Sequence, residues 1–162
     1  MTAPVRVRGV GMMDRFGRTL RASEMSGHAA DFVSRATARA RLPLDYSVTS
    51  LRIVDRVVDG LRRTTDDPSD VRQALHGLGA YAGEVFVRRH GARWVDFDEE
   101  TYGLFQQPVG VRSTDGRAWN PLGKVVNRFE LGAAESVHEL SFLIPGRVRT
   151  SPLTGCAGGR VR

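Results

Sequence analysis

The sequence predicts a single α+β domain, with helices packed on a small antiparallel sheet. Three observations carry that expectation. From residue 23 to about 90, apolar residues recur three and four apart, the period of helices with one buried face. Past Gly91 that period gives way to short apolar runs separated by turn residues. After Asn120-Pro121 the helical period returns and holds to Ile144. A chain of 162 residues can bury a core without metal or disulfides, and 41% hydrophobic and 26% charged residues are ordinary for a globular protein.

The elements follow in order. Residues 1–22 show no sustained period and hold Gly9, Gly11 and Gly17 among scattered Arg, so they read as a flexible basic arm. A first helix is expected from Ser23 or Ser26, with Met25, Ala29, Phe32, Val33, Ala36 and Ala40 on one face and Pro43 as its stop. Ser47 is the expected cap of a second helix, with Tyr46 and Leu51 spaced as a hydrophobic staple. Asp67-Pro68 reads as cap and first residue of a third, running to His90 with Gly91 beyond its end. Its glycines Gly77, Gly79 and Gly83 each cost about 1 kcal/mol relative to Ala in an exposed helix, so close approach by another element is expected there.

The segment from Ala92 to Trp119 reads as a meander of three or four strands. Asp96–Glu100 is an acidic bend within it, Tyr102–Phe105 a short apolar stretch, and Asp115-Gly116 a turn. Asn120-Pro121 opens a helix closed by Gly132, and a last helix spans about Ala134 to Ile144. The domain is therefore bounded at 23–144, and 145–162 reads as a disordered basic tail.

Charge maps onto the ends. Residues 1–22 hold five Arg and one acid, residues 145–162 four Arg and no acid, and the body between is net −2 within a chain of net +6. Nucleic-acid domains place their charge on a face of the fold, so nucleic acid is not the expected partner. No apolar run is long enough to span a membrane, and the first residues lack the apolar core of a secretory signal. The single cysteine, Cys156, has no partner for an internal disulfide. Cytoplasm is the expected location.

The run LGAYAGEVFVRRHGARWV, followed after a polar interval by WNPLGKVVNRFELG, resembles a family of small bacterial proteins, actinobacterial in type, with no assigned activity. The resemblance covers about residues 44–144. It implies a fold and carries over no site.

Candidate residues come from two places. On the third helix, Tyr81, Glu84 and Arg88 continue a second stripe from Gly77. Glu84 would be a partly buried carboxylate, unless it and Arg88 tie the helix to Lys124 or Arg128 on the Asn-Pro helix. On the sheet, Trp94 and Trp119 lead a set of aromatic residues that packs the core or, where exposed, offers a protein-binding surface. The candidate pocket or interaction residues are thus Tyr81, Glu84, Arg88, Trp94, Trp119, Lys124 and Arg128. No catalytic residue, cofactor or metal is nominated. The acidic bend lacks calcium-loop spacing, and His28, His76, His90 and His138 have no ligand spacing between them.

The expected function is a non-enzymatic protein-interaction or regulatory module, toxin neutralisation being one such role, with another protein as partner. The alternative is a small-molecule binder or enzyme using a pocket between the long helix and the sheet.

Overall fold

The computed structural model describes residues 13–146. The basic stretches 1–12 and 147–162 lie outside them. Six helices and a three-stranded antiparallel sheet form one α+β arrangement among the described residues. The helices are α1 (Met25–Ala40), α2 (Leu51–Arg62), α3 (Arg72–His90), α4 (Glu99–Phe105), α5 (Pro121–Leu131) and α6 (Val137–Ser141). The strands are β1 (Arg93–Asp96), β2 (Val109–Arg112) and β3 (Ala118–Trp119), in that spatial order. Trp94 stands opposite Val111, and Val111 opposite Trp119.

α3 is the central element. From Gly77 to Phe86 every residue is buried, on all faces of the helix. It packs chiefly between α1 and α5, with smaller contacts to α2 and the sheet. The glycines explain how it fits. A methyl group at Gly77 would overlap the Phe32 ring of α1. At Gly79 it would lie 2.9 Å from the Cα of Leu122 on α5, and at Gly83 it would collide with the Trp94 indole. The interior glycines are therefore contact points for three neighbouring elements, and the helix ends at Gly91 with φ +68°.

Several boundaries differ from the sequence expectations for local reasons. Tyr102–Phe105 is not a strand but the second half of α4. The Asp98 side chain accepts the Thr101 N–H at 2.8 Å, Glu99 and Glu100 sit in the first turn, and Gln106 ends the helix in the left-handed conformation. The acidic bend is thus a helix start. The Asp67-Pro68 pair does not begin α3: Asp67 accepts from the Ser69 N–H, Asp70 from the Thr65 hydroxyl, and this turn delays the helix to Arg72.

Neither serine near the start of α1 caps it; Ser26 points its hydroxyl at Glu84 instead. Ser47 caps a turn before α2 through the Ser50 N–H, and Tyr46 and Leu51 both join the main core cluster. The last helix is broken. A 3-10 turn, Ala133–Glu135, precedes extended Ser136, which caps α6.

Residues 13–22, expected as part of a flexible arm, are folded against the body. Asp14 is buried and accepts the backbone N–H groups of Phe16 and Arg18 and the Arg18 guanidinium. Leu20 enters the core, Arg15 pairs with Glu130 at 2.8 Å, and the Tyr102 hydroxyl donates to the Met13 carbonyl. The segment holds no period because it is a strap whose anchors are single residues. Within residues 13–146 eighteen acids face eighteen bases, so the six Arg outside them account for the whole net charge.

No helix among the described residues is long and apolar enough to cross a membrane.

Candidate functional site

Glu84 is 6% exposed and sits where three elements meet. Its carboxylate accepts from Ser26 Oγ of α1 at 2.8 Å, from Arg88 Nε one turn along at 3.0 Å, and from Trp94 Nε1 of β1 at 3.2 Å. Burial pushes its pKa up, but the hydrogen bonds from Arg88, Ser26 and Trp94 outweigh it and hold the carboxyl below its ordinary value. The group is an ionised junction with its oxygens engaged inside the protein.

Its neighbours on the stripe are equally engaged. Tyr81 is fully buried; its hydroxyl bonds Ser50 Oγ and accepts the Tyr46 N–H at 2.9 Å, and burial raises its pKa. The Arg88 guanidinium lies 3.7 Å from the Tyr46 ring centroid, and Arg89 donates to the Tyr46 carbonyl. Tyr46 itself holds φ +57°, an uncommon conformation for a bulky residue, stabilised by these contacts to α3. The Tyr81–Glu84–Arg88 stripe therefore fastens the loop before α2, the start of α1 and strand β1 onto the central helix.

The remaining candidates separate. Lys124 pairs with Glu135 at 2.6 Å, and Arg128, 7% exposed, grips Asp59 through two nitrogens and donates to the Ala133 carbonyl. Neither reaches Glu84, which corrects the expected tie between α3 and α5: both basic side chains turn toward the α2 and 132–135 side of α5. Trp94 packs over Gly83 and is half-buried. Trp119, also half-buried, donates to Ser113 Oγ at 2.8 Å. The structure joins Glu84, Arg88 and Trp94 in one network and leaves Trp119, Lys124 and Arg128 outside it.

Two of the larger concavities among the described residues lie elsewhere. One, of about 680 Å³, opens between α1 and the start of α3 and includes Arg18, His28, Asp31, Arg35 and His76. The His28 and His76 rings meet edge-on with centroids 4.9 Å apart, and His76 Nδ1 is buried without a hydrogen-bond partner among the described residues. Burial, with smaller contributions from Arg18 and His28, pushes the His76 pKa down to about 4, so its imidazole is neutral near pH 7. No group of three metal-ligating side chains occurs among the described residues.

That histidine has a consequence for stability. The unfolded chain takes up its proton near 6.5 and the folded chain only near about 4, so the unfolded state binds more protons between those values. Folded stability is expected to be full above about 6.5 and to fall as the pH drops toward about 4. His76→Gln should flatten part of that slope in urea titrations across the window; His90, which burial also lowers, and at the acid end Glu84, held below its ordinary value, contribute to the rest. An unchanged slope in the variant would refute the assignment.

The second concavity is a groove over the outer face of α5. Phe105, Asn120, Gly123 and Asn127 are common to two adjoining hollows of about 540 and 200 Å³. The first extends to Leu104 and Arg15, the second to Trp119 and Leu140. Gly123 and Asn127 are one turn apart on α5; a methyl group at Gly123 would run into the Asn120 side chain, so the glycine makes room for the helix cap. Leu104, 76% exposed, forms part of the wall.

Sequence reasoning missed this groove because it assigned Leu104 and Phe105 to a strand. The signal was present: Asp98 three residues before Thr101, followed by Glu99 and Glu100, is the pattern of a helix start. The meeting of His28 with His76 carried no such signal, because the two residues are joined only by the packing of α1 on α3.

No family model matches the chain, and no curated protein or solved structure matches it significantly.

Proposed function

We propose that the protein is a non-enzymatic protein-interaction module whose binding surface is the groove over α5. The observation that carries this reading is a groove of mixed lining, in which Leu104, Phe105 and Trp119 stand among Arg15, Gln106, Asn120 and Asn127. Leu104 lies 76% open to solvent on a short helix. A leucine so exposed beside a concave aromatic surface has the shape that a partner's side chains fill, and aromatic residues dominate such contacts. The buried polar clusters, by contrast, are engaged in holding the fold together. Regulation of the partner, toxin neutralisation included, is the role this module would serve, in the cytoplasm.

The test is a photoreactive residue at position 104 in the full chain, expressed in the native host, with position 56 on the exposed face of α2 as control. A discrete adduct from 104 and none from 56 is the expected result. No adduct from 104, or equal labelling from both positions, would overturn the proposal.

A second reading, small-ligand binding, moves from the α3–sheet interface to the cleft beside His28 and His76. Its volume of about 680 Å³ lies within the usual range of ligand pockets. Ligands entering there would shift the ring resonances of both histidines. A screen of small ligands that left those resonances unmoved would remove this reading.

A further inference from the structure

We infer that the groove over α5 seats a second copy of this chain, with each copy's Leu104 entering the hollow beside the other's Gly123. This rests on the interaction reading above and names the partner for the same surface. Three features argue for a copy rather than for a partner of complementary charge.

The first is shape. Knob and hollow lie side by side, since Leu104 and Gly123 line the same concavity. A two-fold axis between them would satisfy both at once, which is the geometry of an isologous interface. The second is charge. The charged side chains at the groove are already paired internally, Arg15 with Glu130 at 2.8 Å and Lys124 with Glu135 at 2.6 Å. The described body also carries equal numbers of acids and bases. An acidic or basic partner would therefore find no unpaired counter-charge among the groove-lining side chains, whereas the groove-lining charges of a second copy are paired in the same way.

The third feature is the polar rim. Gln106 and Asn127 present side-chain amides, and each amide is both donor and acceptor, so a surface edged by amides is complementary to itself across a two-fold axis. Gln106 donates to the Gly103 carbonyl within its own chain, which leaves its amide oxygen for a partner. Asn127 is exposed and makes no side-chain hydrogen bond among the described residues.

Sedimentation equilibrium of the full chain, over a concentration series reaching the high-micromolar range, tests this directly. The wild type is expected to approach a dimer mass. Leu104→Arg should weaken the dimer by roughly tenfold or more, with an unchanged circular dichroism spectrum. Leu131→Arg, which alters an equally exposed leucine outside the groove lining, should leave dimerisation intact.

A wild type that stays monomeric throughout overturns the inference. So does a Leu104→Arg chain that dimerises as tightly as wild type, or equal loss in both variants. A monomeric chain that still yields a heterologous adduct from position 104 in cells would overturn the second copy and keep the interaction reading. Absence of both the dimer and the adduct would overturn the two together.

Discussion

Replacing Asp55 by alanine is expected to destabilise the protein by roughly 3 kcal/mol, because buried donors left without an acceptor cost about 1–3 kcal/mol each. Asp55 is 8% exposed on α2, yet it organises the far end of the chain. Its carboxylate accepts from Ser136 Oγ at 2.6 Å, from the Val137 N–H at 2.8 Å and from the His138 N–H at 3.3 Å. Arg128 Nε stands 4.0 Å away. The free backbone donors at the start of α6 are thus satisfied by a residue about eighty positions earlier, in addition to the local Ser136 cap on Glu139.

Without Asp55, Val137 N–H and the Ser136 hydroxyl remain buried and unpaired, and α6 loses its anchor on α2. Asp55→Asn, which keeps one carbonyl acceptor, should lose less. Urea denaturation of the two variants separates the acceptor from the charge. A loss in Asp55→Ala below about 1 kcal/mol, the ordinary net value of a single hydrogen bond, would show that the cluster is not coupled in this way.

Gly83→Ala is expected to destabilise as well, against the helix-propensity rule. In an exposed helix this change would gain about 1 kcal/mol. Here the new methyl group would collide with the Trp94 indole, with Pro121 Cγ 3.0 Å away on the α5 side. The indole must swing out of its place and release its bond to Glu84, so a net cost of about 1–3 kcal/mol is expected, the range for overpacked cores.

Trp94→Leu removes both the obstacle and the hydrogen bond, and in the Gly83→Ala background the two changes should be strongly non-additive. Thermal denaturation of the four members of that cycle measures the coupling. A Gly83→Ala chain as stable as wild type would refute the packing argument. The same logic extends to Gly79, where the wall is the Leu122 backbone 2.9 Å away and has less freedom to move.

Much of the fold was legible in local pattern. The stripes Leu51-Val54-Val58 and Leu75-Leu78-Val85 name core positions directly, because a helix buried on one face must repeat at its own period. Asn120-Pro121 marked the start of α5, and the Asn120 side chain accepts the Gly123 N–H as its position suggested. The candidate site was legible only as a list of side chains. The stripe Tyr81–Glu84–Arg88 could be read along α3, but its partners Ser26, Tyr46 and Ser50 come from elements far away in the chain, and Trp94 from the next strand, ten residues past Glu84. A carboxylate poised in a pocket and a carboxylate saturated by three donors have the same sequence.

By itself, then, the sequence determined where the long helices run, though not α4, that α3 must be crowded, and that the basic charge concentrates toward the two ends of the chain. These are properties of spacing and composition, and they need no knowledge of which element lies beside which. Only the tertiary structure decided that Glu84 is a junction, that residues 13–22 form a strap, and that Leu104 walls a groove over Gly123. Each of these depends on long-range contacts whose partners leave no periodic trace. The stretch from Gly77 to Trp94 shows the division most clearly: its glycines announce close contact, and the packing of Phe32, Leu122 and Trp94 supplies what the contact is with.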